Sequence, residues 1–258
     1  MIAIIDLGTN TFNLLIGEVI NNQIVVHHTH KNPVLIGMNG IMQATIADDA
    51  LERAHNALIE FKMICDEYNV QHIRALGTSA LRDAKNSSIL IEKTKNEIGI
   101  HIEIISGVKE AELIFKGVSQ TIEIFEKSII MDIGGGSTEF IQCDADGVKS
   151  MCSLDVGVSR LYQELGKPSV YSEGHTHLIM DYLDAHQSEI VNPNFVNTLI
   201  GSSGSFETFY EMTTKQSFPK SQRAVKIDLT VLLDVLNWTK LSNLEERKLN
   251  PWIIPMRK

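Results

Sequence analysis

The sequence predicts an α/β fold of two similar domains, each with a mixed sheet covered by helices. The first observation is that a short segment with an aspartate and glycines occurs twice, each time between two apolar, β-branched runs. The two copies are Asp6-Leu7-Gly8-Thr9-Asn10-Thr11 and Asp132-Ile133-Gly134-Gly135-Gly136-Ser137-Thr138-Glu139. The second is that strand-like and helix-like segments alternate after each copy. With 258 residues the chain is long enough for two domains, which we place at residues 1–125 and 126–258.

The first half of the chain begins with a predicted β-hairpin whose glycine turn has Asp6 beside its tip. A helix is predicted after the third strand, because apolar residues such as Leu51, Leu58 and Phe61 recur there at spacings of three and four. Gly99 marks the end of the next helix. The predicted strands are 2–5, 13–19, 23–28, 73–76 and 101–105, and the predicted helices are 48–68, 87–98 and one that starts near residue 108.

The second half begins with another predicted hairpin, which has Asp132 beside its glycine turn. A third turn, Gly201-Ser202-Ser203-Gly204-Ser205, follows a strand and opens a helix. The predicted strands are 129–131, 138–141, 148–154 and 196–200, and the predicted helices are 157–165, 173–189 and 228–238. Two domains of this kind would face each other across a cleft lined by the glycine turns.

The composition and the charge argue against several classes of protein and of binding partner. A net charge of −9 argues against a general nucleic-acid binder, which would carry a basic face. No apolar stretch approaches the ~20 residues of a membrane span, and no secretory signal precedes the first strand, so we expect a cytoplasmic protein without a membrane partner. The three cysteines, Cys65, Cys143 and Cys152, lack metal-ligand spacing and are expected to be reduced. Whether the protein forms a homodimer stays open.

The glycine turns predict phosphate binding, because tight turns expose backbone N–H groups that can hold phosphate oxygens. Nearby hydroxyl and amide side chains would add hydrogen bonds. The candidate phosphate-binding residues are Gly8, Thr9, Asn10, Thr11, Gly134, Gly135, Gly136, Ser137, Thr138, Gly204 and Ser205. Three carboxylates at strand ends, Asp6, Asp132 and Glu139, are oxygen ligands that suit Mg²⁺. An aspartate after a strand also commonly only caps the turn, and that interpretation stays open.

Two further residues between the hairpins are candidates for chemistry. Arg82 follows a strand in a segment of small residues, where its guanidinium group can bind a phosphate. The alternatives are a salt bridge with Asp83 or a contact at a helix end. Glu110 lies in the first turn of a helix, where spacing alone indicates no more than a carboxylate that complements the helix dipole. Lys85, Lys109 and Arg160 are expected to add local positive charge.

Five segments, taken in order, resemble the exopolyphosphatase/guanosine pentaphosphate phosphohydrolase family. The Arg82 segment (Thr78-Ser-Ala-Leu-Arg-Asp-Ala-Lys-Asn86) and the Glu110 segment (Ile104-Ile-Ser-Gly-Val-Lys-Glu-Ala111) carry most of the specificity, because glycine turns occur in many ATPases. The two hairpin segments and the third turn complete the match. The chain departs from the common pattern at Asn13, Glu112 and Ser205, which leaves the substrate preference open.

The resemblance implies the fold, the reaction and the role of each site residue. The fold would be a pair of duplicated ribonuclease-H-like domains of the actin-like ATPase superfamily with an interdomain cleft. Glu110 would be the general base that activates water, and Arg82 would contact phosphate. Asp132 and Glu139 would hold the divalent cation, with Asp6 as a further candidate.

The expected reaction is release of terminal phosphate from inorganic polyphosphate, from guanosine pentaphosphate, or from both. Two other functions compete with it: an actin-like ATPase or small-molecule kinase, and a non-catalytic regulator that binds an alarmone.

Overall fold

A computed structural model describes residues 1–21, 23–186, 197–219 and 222–253. The chain divides into two compact units that interleave along the sequence. Unit 1 contains Met1–Glu110, Gly134–Ser137 and Leu154–Glu164, and unit 2 contains Ala111–Ile133, Thr138–Ser153 and Leu165–Lys258. The tip of the second hairpin therefore clusters with unit 1. The domain boundary between residues 125 and 126 stays a prediction.

The sheet of unit 1 has five strands in the order β3-β2-β1-β4-β5. The strands β1, β2 and β3 are antiparallel neighbours, whereas β4 and β5 continue the sheet in parallel with β1. The hairpin predicted around Asp6 is β1 and β2, with Asp6 opposite Asn13. The strands are β1 (Ile2–Leu7), β2 (Phe12–Ile20), β3 (Gln23–Asn32), β4 (His72–Gly77) and β5 (Ile102–Ile104).

Helices pack on this sheet and supply its core. The predicted helix over 48–68 is α1 (Asp48–Glu67), and its stripe of Ala54, Leu58, Phe61 and Cys65 lies in the same buried hydrophobic cluster as alternate residues of β1. Burial raises the pKa of the Cys65 thiol to about 11, so this thiol stays protonated at neutral pH. The next helices are α2 (Ser79–Asp83), α3 (Ser87–Ile98) and α4 (Gly107–Thr121), and a short 3₁₀-helix spans Ile41–Gln43.

The short helix α2 corrects the sequence interpretation, which treated the start of the Arg82 segment as a loop. Its first turn is closed by a hydrogen bond from the Arg82 N–H group to the Thr78 carbonyl oxygen, 2.8 Å long. Five residues are too few to show a helical period, so the apolar pattern gave no signal of it. The helix places Arg82 and Asp83 at the end of one turn, beyond β4.

The sheet of unit 2 has the order β8-β7-β6-β9, which reproduces the order β3-β2-β1-β4 of unit 1. The strands are β6 (Ser128–Ile133), β7 (Thr138–Asp144), β8 (Gly147–Leu154) and β9 (Thr198–Ser202). As in unit 1, the central strand β6 is antiparallel to one neighbour and parallel to the other. The repeated order confirms the predicted duplicated α/β fold.

The remaining helices are α5 (Val158–Glu164), α6 (Glu173–Ala185), α7 (Ser203–Thr214), α8 (Leu229–Leu241) and α9 (Leu244–Leu249). The end of the helix predicted over 173–189 and the start of the strand predicted over 196–200 lie outside the described residues. The three cysteines are free, in agreement with the sequence prediction. Within the described ranges, no helix is long and apolar enough to cross a membrane.

Candidate functional site

The tips of the two hairpins share one turn geometry. The Gly8 N–H group donates to the Thr11 carbonyl oxygen at 3.2 Å, and the Gly134 N–H group donates to the Ser137 carbonyl oxygen at 3.0 Å. A Cβ atom at Gly8 or Gly134 would lie 2.9 or 3.0 Å from that same oxygen. A side chain at the first glycine of either turn would therefore crowd the carbonyl oxygen that accepts the hydrogen bond closing the turn.

The second turn belongs to unit 1, where it packs on residues of the first turn. A Cβ atom at Gly135 would lie 2.8 Å from the Asn10 side chain, and one at Gly136 would lie 2.7 Å from the Thr9 hydroxyl oxygen. The N–H groups of Gly135 and Gly136 have no hydrogen-bond partner among the described residues. Unit 1 thus brings four of the predicted phosphate-binding residues together.

The Asn10 side chain is itself held in place. The Ser159 hydroxyl group donates to Asn10 Oδ1 at 2.5 Å, and the Leu35 N–H group donates to the Asn10 carbonyl oxygen at 2.9 Å. Gly37 in turn donates to the Thr9 carbonyl oxygen at 3.2 Å. No local sequence pattern indicates Ser159, because its contact with Asn10 joins residues far apart in the chain.

Arg82 and Glu110 meet within unit 1. Arg82 Nη1 lies 3.3 Å from Glu110 Oε2 and 3.4 Å from the Ile105 carbonyl oxygen. Both side chains are about one-fifth exposed, so the pair is accessible but partly desolvated. Arg82 Nε is also 3.6 Å from Asp83 Oδ1, which is the salt bridge that the sequence left as an alternative. The two predicted catalytic side chains are therefore neighbours, and Asp83 adjoins them.

Arg160 contacts both the second turn and α2. Its Nε donates to the Gly136 carbonyl oxygen at 2.9 Å, and its Nη2 lies 2.6 Å from Asp83 Oδ2. A longer contact of 3.4 Å joins Nη2 to the Ser79 hydroxyl oxygen. The sequence identified Arg160 only as a source of positive charge and Asp83 only as a partner of Arg82.

The acidic residues beside the two tips differ in environment. In unit 1, Asp6 is exposed and accepts a hydrogen bond from Asn13 Nδ2 at 3.0 Å. In unit 2, Asp132 lies opposite Glu139, which is only 2% exposed and accepts a hydrogen bond from the Ser153 hydroxyl group at 2.7 Å. Burial raises the pKa of Asp132, and hydrogen bonds from Ser203 and Ser202 oppose part of that rise.

The hydroxyl groups of the third turn, in unit 2, contact the end of β6. Ser203 and Ser205 both donate to the Ile133 carbonyl oxygen, at 3.2 and 3.1 Å. Ser203 adopts a left-handed backbone with φ of 69°, which turns the chain into α7. Gly204 is half-buried in this turn. Assignment of Gly204 and Ser205 to phosphate binding stays a prediction.

The other predicted phosphate ligands lie close to the hairpin strands. Ser137 and Thr138 are buried where the second turn enters β7, and Thr11 is half-buried where the first turn enters β2. In the part of the chain that the structure describes, no group of three or more His, Cys, Asp or Glu side chains is arranged to hold a metal ion. Asp132 and Glu139 are thus a pair of carboxylates and not a complete ligand cage.

Comparison with known proteins identifies the family. The sequence profile of the Ppx/GppA phosphatase family matches residues 20–250. A solved exopolyphosphatase from Cytophaga hutchinsonii is 32% identical, with a TM-score of 0.90 over 99% of this chain and 85% of that chain. The Aquifex aeolicus Ppx/GppA family member has the same fold, with a TM-score of 0.77 at 23% identity over 96% of this chain and 81% of that chain.

Curated relatives agree with this result. The guanosine-5'-triphosphate,3'-diphosphate pyrophosphatase of Aliivibrio fischeri is 32% identical over 157 residues, which are 61% of this chain and 32% of the relative. The bifunctional 3-dehydroquinate synthase/phosphatase of Fusobacterium nucleatum is 31% identical over 241 residues, or 88% of this chain and 36% of the relative. The chain spans about a third of the length of these two relatives. Because the family profile covers most of the sequence and confirms the resemblance carried by the Arg82 and Glu110 segments, the chain belongs to the Ppx/GppA phosphatase family.

Proposed function

We propose that this protein is a phosphohydrolase that releases terminal phosphate from inorganic polyphosphate, guanosine pentaphosphate, or both. The observation that carries the proposal is the contact of 3.3 Å between Arg82 and Glu110 in the unit that also holds both glycine turns. A carboxylate beside a guanidinium group combines a proton acceptor with a cation for phosphate oxygens. Family membership and the names of the relatives support phosphate chemistry.

Glu110 is the general base in the proposed reaction. Its carboxylate takes a proton from a water molecule as the water oxygen bonds to the terminal phosphorus atom. The bridging P–O bond breaks on the opposite side, and its electron pair leaves with the oxygen of the shortened chain. The products are inorganic phosphate and a substrate shorter by one phosphoryl group.

Arg82 and the second turn stabilise the charge that develops on the phosphoryl oxygens. Arg82 presents its guanidinium group next to the base, and Gly135 and Gly136 supply N–H groups that bind no other described residue. Donors fixed in advance cost little reorganisation in the transition state, and removal of one such donor typically slows the reaction ~10²–10³-fold.

Asp132 and Glu139 fit a divalent cation. They lie directly opposite each other on β6 and β7, so that two carboxylates project from one face of the sheet of unit 2. Mg²⁺ commonly binds proteins through one or two carboxylates and completes its shell with water and substrate phosphates, so a third protein ligand is not required. When bound, the cation would neutralise charge on the phosphate oxygens.

A direct assay of released phosphate tests the proposal. Inorganic polyphosphate, guanosine pentaphosphate and ATP are each incubated with the protein in Mg²⁺ and in EDTA. We expect release from polyphosphate, guanosine pentaphosphate or both in Mg²⁺, with loss of release in EDTA. Release from ATP alone would favour the ATPase or kinase alternative, and binding without release would favour the regulator.

The role of Glu110 is tested by Glu110→Gln. Glutamine keeps an oxygen that accepts the hydrogen bond from Arg82 but cannot take a proton, so we expect turnover to fall ~10²–10⁴-fold. Binding of a short polyphosphate, measured by calorimetry, should change little. Glu92→Gln, on the exposed surface of α3, is the matched control and should keep full activity. A Glu110→Gln variant with one-tenth or more of the wild-type turnover would remove Glu110 from the role of base.

A further inference from the structure

The Asp83 carboxylate group lies between two arginines from different parts of unit 1. Its Oδ2 atom is 2.6 Å from Arg160 Nη2, and its Oδ1 atom is 3.6 Å from Arg82 Nε. The two arginines are almost eighty residues apart in sequence: Arg160 lies in the first turn of α5, and Arg82 lies next to the last residue of α2. A single carboxylate therefore links the segment that contains Arg82 to the segment that follows β8.

These contacts continue in both directions. Arg160 Nε donates to the Gly136 carbonyl oxygen at 2.9 Å, which attaches the second glycine turn to Asp83 through Arg160. On the other side, Arg82 Nη1 lies 3.3 Å from Glu110 Oε2. An uninterrupted series of polar contacts thus joins the Gly136 carbonyl group to the proposed base, with Asp83 at its centre.

The environment of this series favours a fixed geometry. The side chains of Arg160, Arg82 and Asp83 are 15%, 20% and 26% exposed, so water competes for their hydrogen bonds less than at an open surface. A guanidinium group is planar, and contacts at Nε and Nη2 together fix its plane. Asp155 also approaches Arg160 Nη2, but at 3.9 Å and with a side chain that is 60% exposed. Asp83 therefore supplies the closer and less solvated carboxylate.

We propose that Asp83 is a positioning residue for phosphate release. The inference rests on the proposed function of Glu110 and Arg82. Asp83 contacts the Arg82 guanidinium group at Nε, whereas Glu110 contacts it at Nη1, and through Arg160 Asp83 also holds the second glycine turn. It contacts no reacting atom itself. Without the charge of Asp83, Glu110 is the one carboxylate among the described residues that still contacts Arg82, so the guanidinium group shifts toward the base and away from its position for the substrate.

This role predicts an effect on kcat rather than on KM. A misplaced donor near the reacting atoms raises the barrier of the chemical step, whereas ground-state binding uses many other contacts. Displacements of about 1 Å in a catalytic site can cost ~10²-fold in rate. We expect Asp83→Asn to lower kcat by about 10–10²-fold and to change KM by less than about threefold.

The experiment measures kcat, KM and the thermal unfolding midpoint for Asp83→Asn, Asp83→Glu and Asp155→Asn, with the substrate that the wild-type protein hydrolyses. Asp83→Glu keeps the charge and should recover much of kcat. Asp155→Asn removes a carboxylate near Arg160 that does not reach Arg82, and it should keep kcat within about twofold. A kcat loss in Asp83→Asn no larger than in Asp155→Asn overturns the inference, as does a loss in Asp83→Glu equal to that in Asp83→Asn.

Arg160→Lys provides a second test if Asp83→Asn does not fold. Lysine keeps the positive charge but cannot contact the Gly136 carbonyl group and Asp83 through one planar fork. We expect a lower kcat with KM little changed, and an unchanged kcat contradicts the inference. A wild-type protein that releases no phosphate from any substrate overturns the proposed function itself, whereas an active wild type with an equally active Asp83→Asn variant overturns only the role of Asp83.

Discussion

The two hairpins keep the same turn but differ in the residues around it. In both, the first glycine of the turn donates to the carbonyl oxygen three residues later. Beside the first tip, Asp6 pairs with the amide of Asn13, whereas beside the second tip Asp132 lies opposite a second acid, Glu139. The two copies therefore share one backbone turn, but the first has a single acid beside its tip and the second has two acids opposite each other.

A second difference lies in the turns themselves. The first turn carries Thr9 and Asn10 after its leading glycine, and the second carries Gly135 and Gly136. Within unit 1, the Thr9 and Asn10 side chains lie where Cβ atoms at those two glycines would project. One turn supplies side chains and the other supplies bare backbone, so the two copies are complementary and not interchangeable.

The largest expected effect compares the aspartates beside the two tips. If the acidic pair of the second hairpin binds the cation, Asp132→Asn should lower phosphate release ~10²–10³-fold, because it removes one of two carboxylate ligands. Asp6→Asn should cost less than about tenfold, since Asp6 is exposed and already bound to an amide. Both variants are assayed over a range of Mg²⁺ concentrations. Equal losses in the two variants would remove the distinction between the hairpins.

Local sequence patterns predicted most of the fold. The β-branched runs around the glycine turns predicted both hairpins, and the stripe of α1 predicted the helix that covers the sheet of unit 1. The contact between Asp83 and Arg160 had no such signal, because it depends on how α5 packs on the rest of unit 1. No sequence pattern predicted the hydrogen bond from the Ser205 hydroxyl group to the Ile133 carbonyl oxygen either, since a serine in a turn can bind many different partners.

The next effect tests how closely the second turn is packed. A Cβ atom at Gly157 would lie 2.4 Å from the Gly136 nitrogen and the Gly135 carbonyl carbon, both of which are backbone atoms that cannot rotate away. We expect Gly157→Ala to lower the free energy of unfolding by about 3 kcal/mol, at the upper end of overpacking costs. The measurement is urea unfolding followed by circular dichroism.

Gly117→Ala is the matched control for Gly157→Ala. Gly117 lies within α4, and a Cβ atom there would meet no atom within 4 Å. Alanine is the better helix former, so this variant should gain about 1 kcal/mol. If Gly157→Ala were as stable as the wild type, the backbone of the second turn would be able to move away from the added methyl group. Close backbone packing would then no longer distinguish the second turn from the first.

The smallest expected effect concerns the stability cost of the acidic pair. Burial raises the pKa of Asp132 above its ordinary value of 3.8, so the folded protein binds this proton more tightly than the unfolded chain does. Stability contributed by Asp132 is therefore fully present below pH 3.8 and is lost as the pH rises through the higher pKa of the folded state. Asp132→Asn removes this charge and should make the protein more stable than the wild type at neutral pH.

The difference in the free energy of unfolding between Asp132→Asn and the wild type should shrink as the pH falls toward the ordinary pKa range of carboxyl groups. Urea unfolding at several pH values can measure this difference. Asp144 in the same hairpin supplies the opposite case, because its hydrogen bond with Lys149 lowers its pKa. Stability from that contact is present at neutral pH, so Asp144→Asn should be less stable than the wild type there. If both variants shifted stability in the same direction, burial of Asp132 would not explain its effect. If the two variants change stability in opposite directions, Asp132→Asn would be both less active and more stable than the wild type. That combination is typical of a carboxylate that serves function at a cost in stability.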